Sequence, residues 1–243
     1  MTELLINTGE RILLEKETPL MIARHFCAYR FAKDYADNKK ILDIGCGEGY
    51  GTHYLSAAAK EAIGIDYDEG IINYAKSKYI RNNLKFKVFD IKELHNLDSK
   101  FDLICSFQVI EHLREPAIFL NNIRDLLTED GVFICSTPNR LDASPHSDTP
   151  HNKFHIKEYL FPEYRRLLEK YFIIEDMRGL KRGGKLNFYR RLKKIGLFNF
   201  LPPNIDPVKR FYNRIDDRHF IIVEDKLNTA LDFIAVCSRL KAI

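Results

Sequence analysis

With 243 residues, 45% hydrophobic and 30% charged, the chain has the make-up of an ordinary soluble globular protein, long enough for a full core. No apolar run approaches the roughly 20 residues of a membrane span, and "MTELLINTGE" lacks a basic-then-apolar leader, so a cytoplasmic protein is expected. A net charge of +4 is too small to argue for nucleic acid, and five cysteines without a CxxC pair read as buried thiols of a reducing compartment.

Residues 10–36 read as helix, with Leu13, Leu14, Leu20, Ala23 and Phe26 at roughly helical spacing and a break at Pro19. They fall in an N-terminal helical segment, 1–38. "KILDIGC" is a buried strand, and "GTHYLSAAAK" a helix that opens off a run of glycines. "EAIGIDYD" gives a second strand, Glu69–Tyr79 a helix, and "LKFKVFD" and "FDLICSFQVI" two more strands. Pro116 starts a helix that Gly131 is expected to cap, and "GVFICSTP" is a fifth strand. A turn-rich loop, a helix near 156–170, the strand "YFIIEDM", a basic insertion at about 180–228 and a last strand "ALDFIAVCSRL" complete the chain.

Strands alternating with helices imply right-handed crossovers and helices on both faces of the sheet. The expected fold is α/β and Rossmann-like, a seven-stranded mostly parallel sheet with an antiparallel last hairpin, in a single domain 1–243. Such sheets bind ligands at the carboxyl ends of their strands. Those ends are Gly45–Gly49, Asp66–Tyr67, Asp90–Ile91, Ser106–His112 and Thr137–Asn139, and all five should face one crevice.

The glycines at 45, 47, 49 and 51 fail the dinucleotide pattern, because Tyr50 stands where its third glycine belongs. They also lack the lysine of a phosphate-binding loop. A G-x-G-x-G turn after a strand carrying Asp43 permits close backbone approach by a ligand that is not a pyrophosphate.

Together, "ILDIGCGEGYGT", Asp66 and Asp90 ending the next two strands, and "FDLICSFQVIEHL" resemble the class I S-adenosylmethionine-dependent methyltransferases over roughly residues 9–178. The resemblance implies S-adenosyl-L-methionine as cofactor. It lays the methionyl part against Gly45, Gly47 and Gly49, with Asp43 meeting the ammonium group directly or through water. Asp66 is to accept from the ribose hydroxyls and Asp90 from the adenine amino group, with Tyr67 and Ile91 flanking and Phe107 walling the pocket.

An in-line transfer to a hydroxyl needs orientation and a base. "QVIEHL" offers Glu111 and His112, and His155 lies at the exit of the loop over the crevice. Ubiquinone-pathway O-methyltransferases and small-RNA 2′-O-methyltransferases carry E-x-x-E-H here and can use a metal. This chain has Gln108 at the first glutamate, a poor ligand for a hard cation, so no metal is expected.

"SFQVIEHL", "STPNR" and "NKFHIKEY" further resemble the methyltransferase type 11/type 23 group associated with bacterial glycan biosynthesis. That implies O-methylation of a sugar hydroxyl on a surface glycan or its nucleotide- or lipid-linked precursor. A quinone- or phenol-type small molecule and RNA are the alternative acceptors, and a binding protein without catalysis the alternative class. Missing DNA-methylase motifs argue against DNA.

Residues 178–205 hold eight Lys and Arg and no acid. This segment reads as a solvated insertion, as a cover over an anionic acceptor, or as a surface resting on anionic lipid.

Overall fold

A computed structural model describes residues 13–196 and 198–239; expectations for residues 1–12, Leu197 and Leu240 lie outside these. The first helix, α1 (Pro19–Ala32), is capped by Thr18, whose Oγ1 accepts from the Met21 amide, and Pro19 occupies its first turn. Proline's missing N–H has no partner to lose there, so Pro19 starts this helix instead of breaking it.

Then follow β1 (Lys40–Ile44), α2 (Tyr50–Leu55), β2 (Glu61–Asp66), α3 (Glu69–Lys78), β3 (Leu84–Val88), β4 (Phe101–Phe107), α4 (Pro116–Leu126) and β5 (Leu127–Pro138). After these come α5 (Arg140–Ala143), α6 (Phe161–Glu169), β6 (Phe172–Arg182), α7 (Gly184–Ile195), α8 (Pro207–Tyr212), β7 (Phe220–Val223) and β8 (Asp232–Arg239).

The strands form one sheet in the order β3-β2-β1-β4-β5-β8-β6-β7. The first five are mutually parallel, and β8 runs antiparallel between β5 and β6. This is the expected α/β Rossmann-like architecture with one strand more than the seven expected. The eighth, β7, lies within the basic insertion and, among the described residues, pairs with β6 alone along the sheet's edge. Four residues, FIIV, are too few to declare a strand by pattern. β6 itself reaches past Met177 to Arg182, because Gly179 and Leu180 stay buried against β8.

Gly131 does not cap α4, which ends at Leu126 and passes straight into extended backbone at Leu127. Gly131 sits where β5 slips register against β4, and a Cβ there would meet the Thr128 amide nitrogen at 2.9 Å. The helix expected near 156 starts at Phe161, with Pro162 in its first turn and Glu163 Oε2 accepting from the Leu160 amide at 2.9 Å.

The core lies on both faces of the sheet. Leu42, Ile44, Ile104 and Phe133 pack one side, and Ile41, Leu103, Cys105 and Ile134 the other. Alternate residues of a strand point to opposite faces, so continuous apolar runs are what a sheet covered twice requires. All five cysteines are buried and free. Among the described residues no helix is long and apolar enough to cross a membrane.

Candidate active site

The turn after β1 is built on left-handed residues. Gly45 has φ +72° and Gly47 φ +52°, conformations that cost an L-residue roughly 1–2 kcal/mol. The Gly45 and Cys46 amides both donate to the Ile65 carbonyl, at 2.9 and 3.0 Å, which ties the turn to the end of β2. There Asp66 accepts from the Gly47 amide through Oδ2 and from the Asp68 amide through Oδ1, each at 3.1 Å. A Cβ on Gly45 would meet Val109 Cγ2 at 2.6 Å, whereas nothing lies within 4 Å of one on Gly47. Gly45 is thus small for packing, and Gly47 presents bare backbone to open space.

Beside it opens a cleft of about 260 Å³ at the carboxyl ends of β1, β2, β4 and β5. It gathers Gly45, Gly47, Asp66, Phe107, Glu111, His112 and His155 from the sequence-derived set.

Five others stand elsewhere. Asp43 is fully buried beneath the turn, accepting from Thr52 Oγ1 at 2.6 Å and Tyr29 Oη at 3.4 Å, and burial pushes its carboxyl up to about 7. It braces the turn and α2 from below rather than facing the cleft. Gly49 caps α2, and a Cβ there would meet the Phe86 ring at 2.6 Å, so its smallness serves packing. Asp90 is exposed and caps a short 3₁₀ turn by accepting from the Lys92 amide at 2.9 Å. Ile91 packs partly buried on the core, and Tyr67 is 58% exposed.

The end of β4 carries the acid–base groups. Gln108 takes φ +57°, uncommon for a residue with a side chain. Its amide donates to the Ser136 carbonyl and its Nε2 to Ser136 Oγ, each at 3.1 Å, which hold that strained backbone. Glu111 is fully buried: Oε2 accepts from Thr137 Oγ1 at 3.1 Å, Oε1 has no partner among the described residues, and burial pushes the carboxyl up to about 8.

His112 Nδ1 lies 2.9 Å from the Phe154 carbonyl oxygen, which can only accept. In the neutral ring Nδ1 therefore carries the proton and Nε2 the lone pair. His155 stacks edge-on to His112 with centroids 4.9 Å apart. Both its nitrogens are engaged, Nδ1 with Glu158 Oε1 at 2.7 Å and Nε2 with the Asn152 side-chain amide at 3.0 Å.

One ligand atom each of Glu111, His112 and His155 lies within 4.8 Å of the others, a spacing a divalent cation can bridge. The donor chemistry fits such an ion poorly. Recruiting His155 breaks a hydrogen bond already made, and the set offers a single carboxylate.

The opposite wall comes from α1, which sequence reasoning left out of the site. Met21, Arg24, His25 and Tyr29 recur at helical spacing and line the cleft. That periodicity, with two ionisable residues inside an otherwise apolar stripe, was the available signal. Arg24 grips Asp232 in a fork, Nε to Oδ2 at 2.7 Å and Nη2 to Oδ1 at 2.6 Å. Burial lowers His25 to about 4, with Arg24 adding to the effect against the opposing pull of Asp232. It is a neutral imidazole at neutral pH.

The sequence profile of the methyltransferase-domain family matches residues 36–184. A Mycolicibacterium smegmatis relative named "Probable S-adenosylmethionine-dependent methyltransferase" is 37% identical over 182 residues, 74% of this chain and 70% of that one. The chain spans between 65% and 70% of the length of the mycobacterial relatives it matches. A ubiquinone biosynthesis O-methyltransferase of Bartonella tribocorum is 33% identical over 106 residues, 43% of either chain. In fold, the chain resembles one chain of the solved complex between the Haloferax volcanii Trm112 methyltransferase activator and a methyltransferase, with TM-score 0.64, 17% identity and 92% of each chain covered.

The chain belongs to the methyltransferase-domain family and is a class I S-adenosylmethionine-dependent methyltransferase. The bare backbone at Gly47 and the carboxylate of Asp66 beside it fit that cofactor, which has a flexible methionyl arm and a ribose diol.

Proposed function

We propose that this methyltransferase acts on a hydroxyl group of a small polar acceptor seated between Glu111, His112 and the α1 wall. The observation that carries the reading is the His112 ring. Its Nδ1–H is spent on the Phe154 carbonyl, so the nitrogen left with a lone pair belongs to a residue lining the same cleft as Gly47 and Asp66.

When bound, S-adenosylmethionine would supply an electrophilic methyl group, its S–CH₃ bond breaking to leave neutral S-adenosylhomocysteine. Gly47 would bear its methionyl arm and Asp66 its ribose diol, and Phe107 would exclude water from the sheet side of the cleft. His112 Nε2 accepts the hydroxyl proton as the oxygen is alkylated, a role that contributes about 10²- to 10⁴-fold. Glu111, held protonated by its burial, anchors the wall behind the acceptor through Thr137. His155, tied to Asn152 and Glu158, packs against His112 and fixes its ring plane.

The polar lining supports a hydroxyl-rich acceptor such as a sugar of a surface glycan or its nucleotide- or lipid-linked precursor. A phenolic acceptor is the second reading, favoured by the likeness to the Bartonella ubiquinone enzyme. The test is mass-spectrometric detection of methyl transfer across a panel of nucleotide sugars, lipid-linked glycans, catechols and polyprenylated phenols. A product about 14 Da heavier on a sugar, with CH₃ in place of the hydroxyl hydrogen, supports the first reading; methylation confined to phenols overturns it. Methylation of an amine alone overturns the hydroxyl assignment itself.

A further inference from the structure

The helix α7 has two apolar faces where a surface helix has one. Its inner face is explained by the core. Leu186 is buried with Ala23, Cys27 and Leu180, and Tyr189 stacks on Phe211 with centroids 4.0 Å apart. On the other side, Phe188, Leu192 and Ile195 stand at i, i+4 and i+7 and form a second stripe. Phe188 is 57% exposed and Ile195 72%, and the following loop adds Phe200 at 79%. Large apolar residues left in water along one stripe mark a binding face.

Charge identifies what it binds. Arg190, Arg191 and Lys194 flank the stripe, all exposed and without an ion-pair partner among the described residues. Lys185 and Lys193 sit over the Phe211 and Tyr212 rings, at 5.7 and 4.7 Å from the centroids. Across residues 178–205 no acid offsets them.

The face also lies at the site's end of the molecule. Leu180 pairs with Asp232, and Asp232 with Pro138, which lines the cleft. α7 begins two residues beyond the end of β6, at the same edge of the sheet.

We propose that the stripe Phe188–Leu192–Ile195 with its flanking cations docks the enzyme on an anionic phospholipid bilayer, with the cleft edge toward the headgroups. A bilayer boundary takes apolar side chains into the acyl region while phosphates meet the cations, which suits both halves of this face. Nucleic acid phosphate satisfies the cations but leaves Ile195 without a stacking partner. A second copy of the chain would set like charges against each other across a two-fold axis. This docking does not depend on which acceptor the cleft takes.

The chain has no tryptophan, so Phe188→Trp installs a single emitter in the stripe. The probes are vesicles of phosphatidylcholine alone and of phosphatidylcholine mixed equally with phosphatidylglycerol, read by co-sedimentation and by Trp emission. The full chain should bind the anionic vesicles, with a blue shift, and ignore the neutral ones. Each cation near the surface is worth about fivefold in partitioning, so Arg190→Gln with Arg191→Gln and Lys194→Gln should weaken it about a hundredfold. Phe188→Ser with Ile195→Ser should weaken it at least about tenfold.

Both sets are surface changes, and unchanged cofactor affinity confirms intact folds. Equal binding to both vesicle types, or an unshifted Trp on bound protein, overturns the proposal. So does loss of binding with the charge variant but not the apolar one, which describes a general polyanion site. A concentration-dependent dimer abolished by the serine variant would assign the face to a second copy and equally overturn it.

Discussion

Replacing Glu111 with Gln isolates one buried carboxyl and turns its environment into a measurable pH dependence. In the folded chain burial pushes the group up to about 8, against an ordinary value of 4.5, because it strips water from the anion and the hydrogen bonds from the residue's own backbone amide and from Thr137 offset that only in part. The folded state therefore holds a proton that the unfolded chain has already released between pH 4.5 and 8. Its contribution to stability is at full strength below 4.5, falls as pH rises, and is lost above 8.

At about 1.4 kcal/mol per pH unit, the loss between pH 5 and 8 is about 4 kcal/mol, a large part of the roughly 5–15 kcal/mol that holds a domain folded. Glutamine keeps an acceptor for Thr137 and cannot ionise. Urea unfolding of cofactor-free protein should thus find the variant within about 1 kcal/mol of the parent at pH 5 and about 4 kcal/mol more stable at pH 8. Asp43, raised to about 7 by burial, gives both proteins the same downward slope and cancels in the difference. Parallel stability curves from pH 5 to 8 would refute the reasoning and mean that Glu111 is ionised and hydrated in the native state.

Three further outcomes test the site. Asp66→Ala removes a charged acceptor at the end of β2 and should weaken S-adenosylmethionine binding about 10- to 100-fold by calorimetry; unchanged affinity removes its ribose role. Gly47→Ala adds a methyl group to open space at positive φ. Stability should fall by only about 1–2 kcal/mol while cofactor affinity drops at least about tenfold, and equal losses in both would point to a structural role. His112→Ala should lower turnover about 10²- to 10⁴-fold with cofactor affinity nearly intact. An unaffected rate would end its candidacy as base.

The fold was legible because it rests on local signals. Apolar runs at β1, β4 and β5, the proline opening α4, and the glycine turn each act through nearest neighbours, and a parallel sheet with right-handed crossovers follows from their order. Pro19 reads as a break by pattern alone, yet it opens α1. The strand-end rule then placed Gly47, Asp66, Glu111 and His112 together without any knowledge of distance.

Only tertiary structure decided the rest. Asp43 and Glu111 are both carboxyls in apolar surroundings, yet one is locked beneath a turn by Thr52 and Tyr29 while the other keeps a buried oxygen without a partner among the described residues. Gly45, Gly47 and Gly49 share one motif, but Val109, open space and Phe86 give them three different reasons to be glycine. The α1 wall reaches the cleft by packing against β4 and β7, through contacts whose partners are far apart in the chain. The second face of α7 shows itself only once Leu186 and Tyr189 are seen to fill the first. Local sequence fixes backbone preference and periodicity, whereas burial, and with it proton affinity and exposure, is a property of what the rest of the chain brings alongside.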